Sequence, residues 1–317
     1  MINKQQIQHF PITIFAIVMG LTGLAIVYEK AHQLLGFPQW PFIGILLISS
    51  ILFLNNLIVY SLKTIMFPNE VKKEFFHPIR MNFFPAISIS MLLLSIAMHE
   101  YFTLLSVILW YLGTGIHTFL TLYIMSYWIK NNFEITHSNP AWFIPIVGNV
   151  IVPIVGVDIL GSEAMIFHFS IGMFFWVVLF TIILNRIIFH HQLAEKFLPT
   201  LFILIAPPAV GFISYIKITS SFDFFAHFLL DIAYFFTLLL FFMGYSFMRL
   251  RFFVSWWAFT FPLDAITIAS MLAYKMSGSV IYGTLASVLL VVSTSVIVIV
   301  AYKTLTHVRK KEICIEE

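Results

Sequence analysis

The chain has 317 residues, 61% of them hydrophobic and only 10% charged, with a formal net charge of +3. No soluble domain of this size keeps so much apolar surface from water, so the composition excludes a soluble enzyme or nucleic-acid-binding module and indicates a polytopic membrane protein. The single cysteine, Cys314, excludes a disulfide framework and a thiolate metal site.

Ten apolar runs follow one another, at 11–28, 40–62, 82–98, 102–129, 141–157, 164–189, 198–216, 223–247, 252–274 and 278–302, each long enough to cross a hydrocarbon core. The first has no small-residue cleavage site behind it and is expected to remain as a helix. The connections are short, so 1–317 is expected to form a single transmembrane domain. The longest of them, 63–81, is charged and carries Pro68 and Pro78. With a cytoplasmic N-terminus, ten spans leave only Lys30, Lys217 and Lys275 of the 17 basic residues outside. That asymmetry predicts a multi-pass protein of the cell (inner or plasma) membrane with both termini cytoplasmic.

Helix breakers fall by parity. The odd runs carry Pro11, Gly20 and Gly23, then Pro85, then Pro145, Gly148 and Pro153, then Pro207, Pro208 and Gly211, and finally Pro262, while the even runs are cleaner Leu/Ile/Phe helices, with Pro41 at the start of one and glycines scattered in others. Broken helices need their freed backbone groups satisfied, so the odd runs belong inside and the even ones can face lipid. The expectation is five helical hairpins, with five kinked inner helices in a ring around a central path. Phe-rich outer runs, as at Phe235, Phe236, Phe241 and Phe242, would meet lipid or a second protomer.

The ninth run is the most unusual, since FFVSWWAFTFPLDAITIAS (252–270) joins an aromatic-loaded helix to a central proline, Pro262, and an acid, Asp264. An intramembrane acid nearly always faces a bundle interior or a hydrophilic path. This helix is expected to form one wall of that path.

SWWAFTFPLD (255–264), IAPPAVGFISY (205–215), NPAWFIPIVGNVIVPIVG (139–156), MNFFPAISIS (81–90) and the opening FPITIFAIVMGLTGLA stand in one order along almost the whole chain. Together they resemble the bacterial tellurite-resistance/dicarboxylate transporter family, whose branches include plant slow-type guard-cell anion channels and yeast malate permeases. The resemblance implies an all-α fold of ten helices in five hairpins around a central pore, usually as a homotrimer. It also implies transport of small anions such as chloride, nitrate, sulfite, tellurite or dicarboxylates, and a phenylalanine of the ninth helix plugging the pore. The matching position is Phe261, with Phe259 as the alternative. Gly20 falls where the family has a small residue that leaves space for the plugging ring.

No basic residue lies centrally in the ten runs, so attraction of anions would fall to backbone N–H groups and the positive ends of the kinked inner helices. Pro85, Asn149, Pro153, Pro207, Pro208 and Pro262 are the expected kink or pore-lining residues, with a phenyl ring across the waist as a block to ions. An ionised Asp264 beside the path would repel anions, whereas a protonated one could couple a proton to transport. Hydrogen bonding to a neighbouring inner helix is the other role open to it. Asp231, on an outer helix, reads as structural, and Glu100 and Asp158 as solvated turn residues.

Two rival classes are weaker. His99, His117, His168 and His227 lie in or near helices and allow a membrane haem protein with paired imidazoles. The His190, His191, Glu195 group reads as interfacial and not as a metal site. No nucleophile elbow, phosphate loop or paired acids suggest an enzyme, and no cofactor or metal is expected.

Overall fold

A computed structural model describes residues 4–314, which are mostly helical, with no strand among the described residues. Among the described residues, ten spans are long and apolar enough to cross a membrane: α1 (Ile12–Leu35), α2 (Trp40–Met66), α3 (Arg80–Met98), α4 (Thr103–Lys130), α5 (Pro140–Leu160), α6 (Ser162–Phe189), α7 (Glu195–Thr219), α8 (Phe224–Phe242), α9 (Val254–Ser277) and α10 (Val280–Arg309). The protein is therefore an all-α, multi-pass membrane protein. An even number of spans brings both chain ends to one face, called basal here, and the opposite face is distal.

Parity separates inside from outside. In the most apolar stretch of each odd span 72% to 89% of the residues are buried, against 22% to 39% in the even spans. The odd spans close a ring, α1 on α3, α3 on α5, α5 on α7, α7 on α9 and α9 back on α1. Each even span lies along the odd span before it, which gives five hairpins.

The first half of each odd span explains why it belongs inside. Every one opens as a 3₁₀ segment and then becomes α-helical, at Phe15, Ala86, Ile144, Ala206 and Thr260 in turn. Pro85 immediately precedes its α-segment, Pro145 and Pro207 are in the first two positions of theirs, and Pro262 is third in Thr260–Ser277. A proline in a first turn gives up a donor that has no intrahelical acceptor anyway. The expectation of one continuous ninth helix with a central proline is thus corrected: a 3₁₀ segment, Val254–Phe259, joins an α-helix that Pro262 helps to start. Pro153 does mark a break, since α5 is interrupted once more between Ile151 and Pro153.

Three boundaries also move by five residues or more, one of them at the tenth span, which runs to Arg309 instead of 302. The first span runs seven residues past the expected 28, because Glu29 and Ala31 are buried like the apolar residues before them, and it ends at Gly36, whose φ of 72° caps the helix. The eighth stops at Phe242, ahead of a separate short helix, Gly244–Met248. On α8, Phe235, Phe241 and Phe242 are exposed as expected, but Phe236 is buried.

At the basal face the 63–81 connection folds into a helix, Pro68–Phe75, whose Glu74 is buried. Glu74 accepts hydrogen bonds from Lys63 Nζ (2.8 Å), Tyr60 Oη (2.9 Å) and the Ile12 backbone N–H (2.8 Å), and Lys63 also donates to the Phe10 carbonyl (2.8 Å). This cluster fastens the start of α1 to the end of α2.

Candidate functional site

Where the five α-segments begin, the ring encloses a narrow cavity of about 50 Å³. Every odd span contributes to its wall: Ala16 and Met19 from α1, Phe83, Ala86 and Ile89 from α3, Ile144, Val147 and Ile151 from α5, Ile203 and Ala206 from α7, and Trp257, Ala258, Phe261 and Pro262 from α9. No charged or hydroxyl side chain is among them. Water placed there would find few polar partners, and an apolar space of this kind stays dry.

Phe261 is the second residue of its α-segment, is buried, and lines this cavity. Phe259 does not. Its ring packs edge-on against Phe202 (4.8 Å between centroids), Phe247 (5.7 Å) and Trp256 (5.8 Å), outside the cavity wall. Residues two apart on a helix point in different directions, so both rings cannot face the same space.

Gly20 is not in the wall either. It faces Thr260 and Trp257 of α9, where an added Cβ would overlap the Thr260 hydroxyl, so it serves close approach of α1 to α9. The room beside the Phe261 ring comes from Ala16, Ala86, Ala206 and Ala258. The sequence reading missed these alanines. A signal was present for two of them, which directly adjoin kink prolines as Pro85–Ala86 and Ala206–Pro207.

The α-segment starts carry the positive ends of five helix dipoles, whose negative ends lie toward the distal side. Their first N–H groups are not all free, contrary to expectation, because the 3₁₀ turns supply acceptors: Ile87 N–H bonds the Phe84 carbonyl (3.2 Å) and Ile144 N–H that of Ala141.

Asp264 lies off the cavity as well. It is fully buried, its Oδ1 accepts from Ser293 Oγ, and its Oδ2 has no hydrogen-bond partner among the described residues. Ser293 belongs to α10, an outer span, and not to a neighbouring inner helix. Pro85, Pro153, Pro207 and Pro208 are buried in the ring's packing, outside the cavity wall.

Asn149 turns away from the ring. Its Nδ2 donates to Thr121 Oγ1 (3.0 Å) and the Pro145 carbonyl (3.3 Å), and its Oδ1 meets His168 Nδ1 (3.2 Å). It forms the floor of an outer crevice of about 410 Å³ between α4 and α6, walled by Leu122, Met125, Phe167 and Phe175. The expectation that it lines the central path is corrected.

His117, fully buried on α4, joins the same network. Its Nε2 meets the Pro145 carbonyl (3.0 Å) and its Nδ1 meets Ser88 Oγ of α3 (3.0 Å). A carbonyl only accepts, so Nε2 carries the proton. With both nitrogens engaged, His117 has none left to ligate a haem iron. His99 pairs with Ser106 and Asp158, His227 with Tyr282, and His190 and His191 are exposed. No cluster of three metal-ligating side chains occurs among the described residues.

Glu100 and Asp158 are exposed, as expected, though each has a basic partner, whereas Asp231 departs from its expected setting. Asp158 is ion-paired with Lys217 Nζ (2.8 Å), and Glu100 accepts from Gln33 (2.8 Å) and lies near Lys30 (3.6 Å). Asp231 is exposed on the outward face of α8, where no internal role holds it.

Comparison with known proteins agrees with this architecture. Residues 9–305 match the family model described as SLAC1, voltage-dependent anion channel. The S-type anion channel SLAH3 of Arabidopsis thaliana is 30% identical over 310 residues, covering 94% of this chain and 48% of the plant protein. The guard cell S-type anion channel SLAC1 of the same plant is 27% identical, covering 94% of this chain and 56% of its own length. The uncharacterized transporter MJ0576 of Methanocaldococcus jannaschii is 27% identical, covering 85% of each chain. The chain thus spans about half the length of the plant channels it matches. With the family match running from the 3₁₀ start of α1 into the last turns of α10, the chain belongs to the SLAC1 family of voltage-dependent anion channels, the family its five motifs resemble.

Proposed function

We propose that this protein carries small anions across the membrane through the ring of odd spans, with the Phe261 ring closing the path at its apolar waist. The observation that carries this reading is the position of Phe261, in an enclosed space to which all five inner spans contribute, at the level where five positive helix ends converge. The names of the plant relatives, S-type anion channels, favour the same substrate class. The basal face is cytoplasmic in this proposal, on the strength of the lysine and arginine asymmetry. The protomers assemble as a homotrimer with one path each. Asp231 supports assembly, because an acid on the outward face of a membrane span is costly unless something covers it.

A proton-coupled carrier for dicarboxylates, sulfite or tellurite is the second reading, and the partnerless Oδ2 of Asp264 favours it. Its absence from the cavity lining favours the first. Reconstitution in liposomes tests both: the wild-type protein passes chloride or nitrate with a measurable current and needs no pH gradient. Flux of dicarboxylate or sulfite that occurs only with a pH gradient selects the carrier.

A further inference from the structure

We propose that the basal end of the wedge formed by α4, α5 and α6 binds an oxyanion through Arg186. Arg186 is only 5% exposed, yet its Nε and Nη1 meet no acceptor, and no carboxylate pairs with it among the described residues. An enclosed cation without a counter-charge is strongly unfavourable, which distinguishes Arg186 from the solvated or paired bases elsewhere.

The surroundings point the same way. α6 runs antiparallel to α5, with His168 beside Asn149 and Gly172 against Val150. Following the buried stripe Trp176, Leu179, Ile183 toward the basal face brings Arg186 to the level of the turn at 135–139 that precedes α5. At this end His137 Nδ1, Trp128 Nε1 and Trp142 Nε1 are also buried without partners. The two indoles stack at 4.6 Å and Phe133 packs edge-on against both Trp142 and His137. Among the described residues, Asn56 is the one residue with an unpartnered buried side-chain nitrogen that lies outside α4–α6.

A guanidinium presents paired N–H donors in a fixed plane, which matches two oxygens of a phosphate, carboxylate or nitrate. The ligand is therefore an oxyanion, supplied either as a soluble ion or as the phosphate of a phospholipid headgroup in the basal leaflet. Arg186 is not part of the central cavity wall, so this site stands or falls independently of the Phe261 reading.

Thermal unfolding of delipidated protein in neutral detergent tests the proposal, with sodium phosphate and a short-chain phosphatidylglycerol as probes and sodium chloride at matched ionic strength as control. The wild-type protein shows a saturable rise in Tm with at least one probe. Arg186→Gln needs about tenfold more of that probe for the same rise, the loss expected for a charge-assisted bond. Arg186→Lys, which keeps the charge without the fork, falls between and serves if the glutamine variant does not fold. A response to phosphate assigns a soluble ion, and a response to the phospholipid alone assigns a headgroup. Equal responses in wild type and both variants, or no response of the wild type to either probe, overturns the proposal.

Discussion

Gly23 of α1 lies directly against the carboxylate of Asp264 on α9: a Cβ at Gly23 would stand 2.6 Å from Oδ2 and 3.0 Å from the Asp264 Cβ. Asp264 is thereby clamped between α1 and α10, behind the ring wall. Gly23→Ala is expected to destabilise the protein by about 1–3 kcal/mol, the usual cost of overpacking, as a lower unfolding midpoint in detergent. Asp264→Asn keeps an acceptor for Ser293 and should leave both the midpoint and the anion flux near wild type at every pH. A flux that loses its pH dependence in this variant would instead select the proton-coupled carrier.

His117 links the kinks of two inner spans, bonding the Pro145 carbonyl of α5 and Ser88 of α3, three residues beyond Pro85. Gly148 leaves the space that its ring occupies, since a Cβ there would overlap the imidazole. His117→Phe should cost about 1–3 kcal/mol for the buried groups left unpaired. Gly148→Ala should lower the midpoint at least as much, because α5 must move off the ring. Equal midpoints for wild type and both variants would show that the network carries no stability.

The Lys63–Glu74 pair is buried at both ends, 5% and 4% exposed at the side chains, and holds the start of α1. Breaking such a pair from one side leaves a buried charge uncompensated, so Lys63→Met should cost about 3–5 kcal/mol. The double variant Lys63→Met, Glu74→Gln should recover part of that loss. Unfolding midpoints of wild type, Lys63→Met, Glu74→Gln and the double variant form the test, and strict additivity would contradict the coupling.

Asp223 caps α8 at the distal face. The Tyr215 hydroxyl, donating to its Oδ2 at 2.6 Å, together with the backbone N–H groups of Ala226 and Phe225, holds its carboxyl below the usual range. A depressed folded-state pKa stabilises above the unfolded value and loses that contribution as the pH falls through the folded one. Asp223→Ala should therefore melt below wild type at neutral pH, and the gap should shrink as the pH drops below about 4. A gap that widens in acid would contradict the assignment.

The ring was legible in the sequence because the prolines within the spans, apart from Pro41 at the head of α2, fall on alternate spans, and only enclosed helices tolerate them in lipid. What the sequence hides is the change from 3₁₀ to α-helix within each odd span. That change sets the register, so it decides that Phe261 and not Phe259 meets the cavity, and that Ala16 and Met19 stand in the wall where Gly20 was expected. Asn149 was misread for a related reason. It shares a kinked inner span with wall residues Ile144, Val147 and Ile151, but its own side chain faces α4 and α6. The outward face of Asp231 depends on how α8 is rotated against α7 and α9, which an almost uniformly apolar helix does not encode.

The most direct test of the account is anion flux into liposomes containing wild type, Phe261→Leu, Phe261→Ala and Phe259→Ala at matched protein density. Removing the Phe261 ring opens about one phenyl of space at the waist, at a stability cost of up to about 3–5 kcal/mol. Flux should rank Phe261→Ala above Phe261→Leu above wild type, while Phe259→Ala stays at the wild-type level and loses only stability. A folded Phe261→Ala protein that passes no more anion than wild type, or a Phe259→Ala protein that passes more than Phe261→Ala, would contradict it.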